Sequence, residues 1–207
     1  MGIEFLVGDG VDYHILEHAV MAIKGVPGLI CEIGLREGGG TKTIMDTLLI
    51  NGDLDRTCIA IDPYGCLPYR MRENNLIEET GFSNTMMKRT LHSLYWYIEN
   101  LRLNFTFFQL EDTEFFKRYG DGIPVYDKNG KHLINQYALV YFDGPHSLKD
   151  TMDETLFFMD KVVPGSIFVY DDVTQYYDHK AIYDFLLTKL WKLEMATKHK
   201  AYYRYVG

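Results

Sequence analysis

Three carboxylates stand at the ends of two apolar runs. YALVYF at 137–142 stops at Asp143, a helical pattern follows over 148–159, and VVPGSIFVY at 162–170 stops at Asp171 and Asp172. Runs of that length and apolarity read as strands covered on both faces, as in a parallel sheet. Consecutive strands of such a sheet bring their carboxyl ends to one edge, where ligands bind. Asp143, Asp171 and Asp172 are therefore predicted to converge into an oxygen-rich site for a hard divalent cation such as Mg²⁺. Left without a cation, they would repel one another and their pKa values would rise. His146 follows in the segment GPHS and has two readings. It is a base that removes a hydroxyl proton near neutral pH, or it is a surface loop histidine. Asp143 and His146 form the candidate catalytic pair.

A second constellation lies at residues 29–43, LICEIGLREGGGTKT. A short apolar run stops at Gly34, crosses Gly38, Gly39 and Gly40, and gives way to a helical pattern from Thr41 onward. Glycines belong there because the chain reverses at positive φ and a side chain would block the approach of a ligand to the backbone. The spacing G-x-x-x-G-G-G departs from the dinucleotide fingerprint G-x-G-x-x-G, which counts against NAD. Thr41 also separates Gly40 from Lys42, so the phosphate-cradling loop G-x-x-x-x-G-K-[ST] is not present. Glu32, Gly34, Arg36, Gly38, Gly40 and Thr41 are the candidate ligand contacts. A second strand at 57–61 delivers Asp62, about 20 positions beyond the glycine turn, where a carboxylate can accept hydrogen bonds from two ribose hydroxyls. Asp62 also precedes Pro63, and Asp-Pro commonly starts a turn. The two roles are compatible.

These residues need elements to hold them. Residues 11–23 carry an apolar face at helical spacing, ended by Gly25, Pro27 and Gly28. The connection 63–100 begins as a Tyr- and Arg-rich loop, in which Tyr64, Tyr69, Arg70 and Arg72 either contact ligand or are simply solvated. It continues as a helix over 85–98. A third strand is expected at 104–110, followed by a helix beginning at EDTEFFKRY. Asn129-Gly130 between IPVY and KHLI signals a hairpin inserted at 120–136, which is a substrate wall, a subunit contact, or neither. After Asp172 come a helix through Leu190 and two strands, 191–195 and 201–206, joined by the turn Thr-Lys-His-Lys.

The 207 residues, 47% of them hydrophobic, suffice for one domain with a substantial core. A net charge of −8 offers no general attraction to nucleic acid or to anionic membrane. Cys31, Cys58 and Cys66 are odd in number and lack metal-ligand spacing, and two of them lie inside apolar strand patterns, which reads as buried free thiols in a reducing compartment. No apolar run approaches membrane-spanning length, and the amino terminus lacks a basic segment followed by a long apolar one. A soluble, cytoplasmic, single-domain protein is expected, and a homo-oligomer is compatible with the sequence.

The pattern E-x-G-x-x-x-G-G-G resembles the first motif of class I S-adenosylmethionine-dependent methyltransferases. The block D-G-x-H-S at 143–147, with P-G-x-x-x-x-x-D-D ending at Asp172, is similar to the O-methyltransferases of the catechol and macrocin groups. The likeness spans about residues 29–172. It implies an α/β, Rossmann-like fold with a mostly parallel sheet of about seven strands. It also implies a glycine loop beneath the amino-acid end and ribose of S-adenosylmethionine, with Glu32 helping to place them. Glu111 and Asp112 are implied as partners of the adenine amino group, although Asp112 serves equally as a helix cap. Several of these relatives hold a metal with the acids ending the fourth and fifth strands. In the catechol group asparagine stands where this chain has Asp172, so an oxygen ligand is kept and a negative charge added. The asparagine-proline-proline-aromatic motif of amino-methylating nucleic-acid enzymes is replaced by Asp143-Gly-Pro-His146. The expectation is metal-assisted methylation of a hydroxyl on a small molecule or sugar. Two alternatives stand beside it: a metal-dependent hydroxylase or hydrolase on the same sheet, and a non-catalytic cofactor-binding subunit.

Overall fold

The structure, a computed structural model, describes residues 6, 8, 10–67, 69–70, 78–79, 81–99, 101, 103–127, 130–174 and 177–207. The elements run α1 (Tyr13–Ala22), β1 (Leu29–Ile33), α2 (Gly39–Asn51), β2 (Thr57–Ile61), β3 (Tyr69–Arg70), β4 (Glu78–Glu79), α3 (Asn84–Glu99) and β5 (Asn104–Phe108). There follow α4 (Asp112–Tyr119), β6 (Ile123–Asp127), β7 (Gly130–Ile134), β8 (Tyr137–Phe142), α5 (Leu148–Met159), β9 (Val162–Tyr170), α6 (His179–Leu187), β10 (Trp191–Ala196) and β11 (Ala201–Tyr205). Seven strands make one sheet in the order β10-β11-β9-β8-β1-β2-β5. The five from β9 to β5 are parallel, and β11 pairs antiparallel with both β9 and β10.

The apolar runs dictate the layering. Every residue of β1 and β8 is buried, so both faces of the sheet must be covered. Successive side chains alternate between two cores. Ile30, Leu139, Tyr141 and Val169 meet α1, α2 and α3 through Leu16, Met45 and Leu94. Cys31, Ile33, Val140, Phe142 and Phe168 meet α4, α5 and α6 through Phe115, Phe158 and Leu186. Each large apolar side chain so buried contributes roughly 1.5–3 kcal/mol relative to exposure.

Strand β1 lies between β2 and β8, so the winding reverses there and opens a crevice beyond the strand ends. The backbone ladder continues past those ends. Asp62 N–H donates to Phe108 O at 3.1 Å, Gly34 N–H to Ile61 O at 2.9 Å, Asp143 N–H to Ile33 O at 2.9 Å and Asp171 N–H to Phe142 O at 3.0 Å. The residues expected to do chemistry are thus held one strand apart by the sheet itself.

The segment after β2 departs from the expected plain loop, because β3 and β4 pair antiparallel within it. Arg72 and Gln175 lie outside the described residues. The inserted hairpin forms from β6 and β7, with Asp127 opposite Gly130; Asn129 lies outside the described residues. Helix α2 starts at Gly39, two residues earlier than the pattern indicated, because Gly38 takes φ 80° at the cap.

Gly34 has φ +90°, and a Cβ there would overlap the Asp143 carbonyl oxygen of the adjacent strand end. Gly52 has φ +72° with nothing within 4 Å. Gly34→Ala should therefore cost about 3 kcal/mol or more. Gly52→Ala should cost only its backbone strain, about 1–2 kcal/mol. Urea unfolding midpoints at unchanged slope measure both.

Candidate active site

A cavity of about 490 Å³ opens over the carboxyl ends of β1, β2, β5, β8 and β9. Glu32, Gly34, Arg36, Gly40, Asp62, Glu111, Asp112, Asp143, His146, Asp171 and Asp172 all line it. Of the sequence-predicted site residues, Gly38 and Thr41 are not in the lining. A Cβ on Gly38 would meet Leu6, Thr90 and Leu94, so that residue faces the core and serves the turn. Thr41 is buried and donates its hydroxyl hydrogen to Glu32 Oε2, so it acts through Glu32.

Glu32 is the last polar residue of β1 and is almost fully buried. A Cβ on Gly40 would overlap Glu32 Oε1, so glycine there makes room for the carboxyl. Burial pushes the Glu32 pKa up to about 8, partly opposed by the bond from Thr41. The loop beside it is strained. Arg36, Tyr64 and Asp172 line the cavity with φ 44°, 48° and 52°, the left-handed region that non-glycine residues avoid.

Asp62 takes the turn role expected of it. Its Oδ1 accepts from Tyr64 N–H and its Oδ2 from Arg36 N–H, each at 2.9 Å, which fastens the glycine loop to the end of β2. Burial raises its pKa, and those amides hold the rise down. Tyr64 donates its hydroxyl hydrogen to Arg36 O, and Thr90 Oγ1 donates to the same carbonyl at 3.0 Å. Tyr64 thus supports the loop as well as lining the cavity. For Tyr69 and Arg70 the structure fixes only their place in β3.

At the start of α4 the cap position belongs to Glu111, which makes no side-chain cap bond. Asp112 occupies the first turn, where its charge favours the helix dipole. Burial raises the Asp112 pKa. Beneath it lies Glu154 of α5, fully buried and hydrogen-bonded to Asp112, with its pKa raised well above the usual range by burial. The α5 pattern had given no reason to single out Glu154.

Asp143, Asp171 and Asp172 do converge. Burial, then the Asp171 charge, pushes the Asp143 carboxyl far up. Burial also pushes Asp171 up, but Lys200 and a bond from Asp143 overcome this and hold it below the usual carboxylate range. Lys200 Nζ lies 2.5 Å from Asp171 Oδ1, with its side chain wholly buried. It also donates to Tyr141 Oη at 2.9 Å, and Tyr141 O–H points to Asp171 Oδ2 at 3.2 Å. The sequence had offered Lys200 only as the end of a turn.

That ammonium bears on the expected metal. Asp171 is engaged by Lys200, by Tyr141 and by Asp172 N–H at 2.9 Å. Asp172 Oδ2 instead faces His146 Nδ1 at 3.6 Å. Among the described residues no group of three or more His, Cys, Asp or Glu side chains is arranged to hold a metal ion. As arranged, the donor set does not fit a divalent cation. His146 is partly buried, and burial lowers its pKa to about 4, so its imidazole is neutral at physiological pH. Burial and the Asp171 charge raise Asp172 to about 6.

The sequence from 13 to 196 matches the family model of macrocin-O-methyltransferase (TylF). The chain belongs to the macrocin-O-methyltransferase family. It is an S-adenosylmethionine-dependent O-methyltransferase, and the match gives no support to a hydroxylase, a hydrolase or a non-catalytic subunit. No curated protein sequence matches this family member. Among solved structures, CalS11, a calicheamicin methyltransferase, aligns with TM-score 0.66 at 16% identity, covering 94% of this chain and 78% of that one. The O-methyltransferase NovP aligns with TM-score 0.63 at 15% identity over 94% and 79%. TomG from Streptomyces achromogenes, an O-methyltransferase of tomaymycin synthesis solved in complex with SAM, aligns with TM-score 0.59 at 12% identity over 98% and 82%. At such identities these likenesses establish the fold. Among the described residues of this macrocin-O-methyltransferase relative, no helix is long and apolar enough to cross a membrane.

In this methyltransferase the His146 ring should titrate near 4 rather than near 6.5. Nitrogen-15 imidazole shifts followed from mild acid to neutral pH check this. A midpoint above 6 would mean that solvent reaches the ring.

Proposed function

We propose that the cavity binds S-adenosylmethionine through Glu32 and Asp62, and that His146, backed by Asp172, takes the proton from a hydroxyl of a small molecule or sugar. When bound, S-adenosylmethionine supplies a sulfonium methyl group. The acceptor oxygen forms the new C–O bond as the C–S bond breaks; the electron pair stays on sulfur, and the hydroxyl proton passes to the imidazole. The observation that carries this reading is the neutral imidazole lying 3.6 Å from a carboxylate, in the same cavity as the Glu32 and Asp62 strand ends.

Each residue has a stated task. Asp62 keeps lone pairs beyond its two amide bonds and can accept from ribose hydroxyls. Glu32, its pKa raised to about 8, favours a cationic ligand that draws its proton off. Glu111 and Asp112, which line the same cavity, are assigned to the adenine amino group, and Gly34, Arg36 and Gly40 to the cofactor's amino-acid end and ribose. Asp172 stabilises the imidazolium that forms on His146. The sugar part of the acceptor reading draws on CalS11, described as a TDP-rhamnose 3'-O-methyltransferase. The donor set does not favour the metal-assisted form of the reaction, because Asp171 is committed to Lys200.

S-adenosylmethionine or S-adenosylhomocysteine at 100 times Kd should stabilise the fold by about 2.7 kcal/mol. For a chain of this size that raises Tm by roughly 5–10 °C. NAD should do nothing, and a Tm indifferent to both adenosyl ligands would end the assignment. Glu32→Gln and Asp62→Asn should each weaken binding about 10- to 100-fold by calorimetry, the worth of a hydrogen bond to a charged group.

His146→Ala should leave that Kd unchanged and lower kcat about 10²- to 10⁴-fold. Protonating Asp172 weakens the base by removing the charge that stabilises its imidazolium, protonating His146 abolishes it, and Asp172 accepts its proton first. The kcat/KM should therefore be full above about pH 6 and fall as pH drops through that value. Asp172→Asn should remove this limb and leave one near 4, on a lower plateau.

A further inference from the structure

Lys200 closes a turn built to hold it. Thr197 Oγ1 accepts from the backbone N–H of His199 at 3.2 Å and of Lys200 at 3.0 Å, while Thr197 N–H donates to Lys200 O at 2.7 Å. The turn is fastened to the chain leaving β9. Val173 N–H donates to His199 O at 3.1 Å, and Thr174 Oγ1 donates to Lys198 O at 2.6 Å. The residues flanking Lys200 and those following Asp171 are therefore tied to each other.

The side chain that this turn projects is wholly buried. A buried ammonium persists only when paired and hydrogen-bonded. Here it has Asp171 Oδ1 at 2.5 Å and Tyr141 Oη at 2.9 Å, and the ring centroids of Tyr13 and Tyr141 lie 5.2 and 5.3 Å away. A Cβ on Gly10 would crowd Tyr13 Oη at 2.9 Å and reach the ammonium at 3.5 Å, so the chain entering α1 runs close over both.

We propose that Lys200 is the resident cation of this active site, its ammonium standing where a divalent ion would otherwise be drawn to the acidic strand ends, so that the site takes no metal. The inference rests on the methyltransferase reading above. A divalent ion would have to displace the ammonium from Asp171 or bind beside it against like-charge repulsion, in a setting where water screens little. Because Asp171 is satisfied internally, Asp172 is left to face His146. Lys200 is thus a positioning residue: it fixes Asp171 and Tyr141, and it frees Asp172 for the imidazole.

The test uses the full-length protein stripped with EDTA and titrated with MgCl₂ and MnCl₂ by calorimetry, with Mn²⁺ also followed by electron paramagnetic resonance. S-adenosylhomocysteine is titrated separately, so failure of the methyltransferase reading is seen on its own. The wild type should show no one-to-one metal site at millimolar ion and bind S-adenosylhomocysteine equally with and without EDTA. Lys200→Met keeps the stem and removes the charge; it should gain a Mn²⁺ site about tenfold or more tighter than any in the wild type. Lys200→Arg should gain none. A stoichiometric Mg²⁺ or Mn²⁺ site in the wild type overturns the proposal, as does a folded Lys200→Met that still takes no Mn²⁺. Should that variant fail to fold, the wild-type titration decides alone.

Discussion

Acidic side chains crowd one edge of a sheet and must each be neutralised without leaving it, and the structure of this cleft follows from the different ways in which that is done. Glu32 keeps a proton and a hydroxyl partner. Asp62 spreads its charge over backbone amides. Asp143 is pushed up by burial and by the Asp171 charge, and Asp171 is held down by Lys200. Asp172 sits between these extremes and faces an uncharged imidazole. A low dielectric makes every unsolved charge expensive, so the loops around the cleft are arranged as partners before any ligand arrives.

The sheet makes this crowding inescapable. Parallel strands send all their carboxyl ends one way, and the ladder running from Phe108 through Asp62, Gly34, Asp143 and Asp171 sets their lateral spacing. Glycine is then forced at Gly34, where the neighbouring carbonyl leaves no room, and at Gly40, where Glu32 leaves none. Strained backbone at Arg36, Tyr64 and Asp172 gathers around the same cavity. It is held by Asp62, by Tyr64 and Thr90 on a single carbonyl, and by the turn that carries Lys200.

Much of this was legible in the chain. The strands 57–61, 137–142 and 162–170 and the helix 148–159 stand where their apolar patterns place them, because period and burial agree there. Less legible was the stretch after β2, since two-residue strands such as β3 and β4 leave no periodic trace. The cap position falls to Glu111 rather than Asp112, because capping depends on backbone angles that one residue of register alters. Glu154 escaped notice because a glutamate on a helix normally reads as solvated. Only packing beneath Asp112 makes it a buried acid.

By itself, then, the sequence determined the α/β sandwich, the glycine loop with Glu32, and the delivery of Asp62, Asp143, Asp171 and Asp172 to one edge. Hydrophobic period and turn chemistry are local properties, and strand ends follow from them. Tertiary structure alone decided which charge answers which. Lys200 lies in a turn whose polar residues look solvated, and it reaches Asp171 because β11 inserts between β9 and β10 and carries the turn across the strand ends. No spacing rule encodes that contact; it arises from the order of strands in the sheet. That order gave the carboxylate an ammonium partner where the sequence pattern had called for a metal.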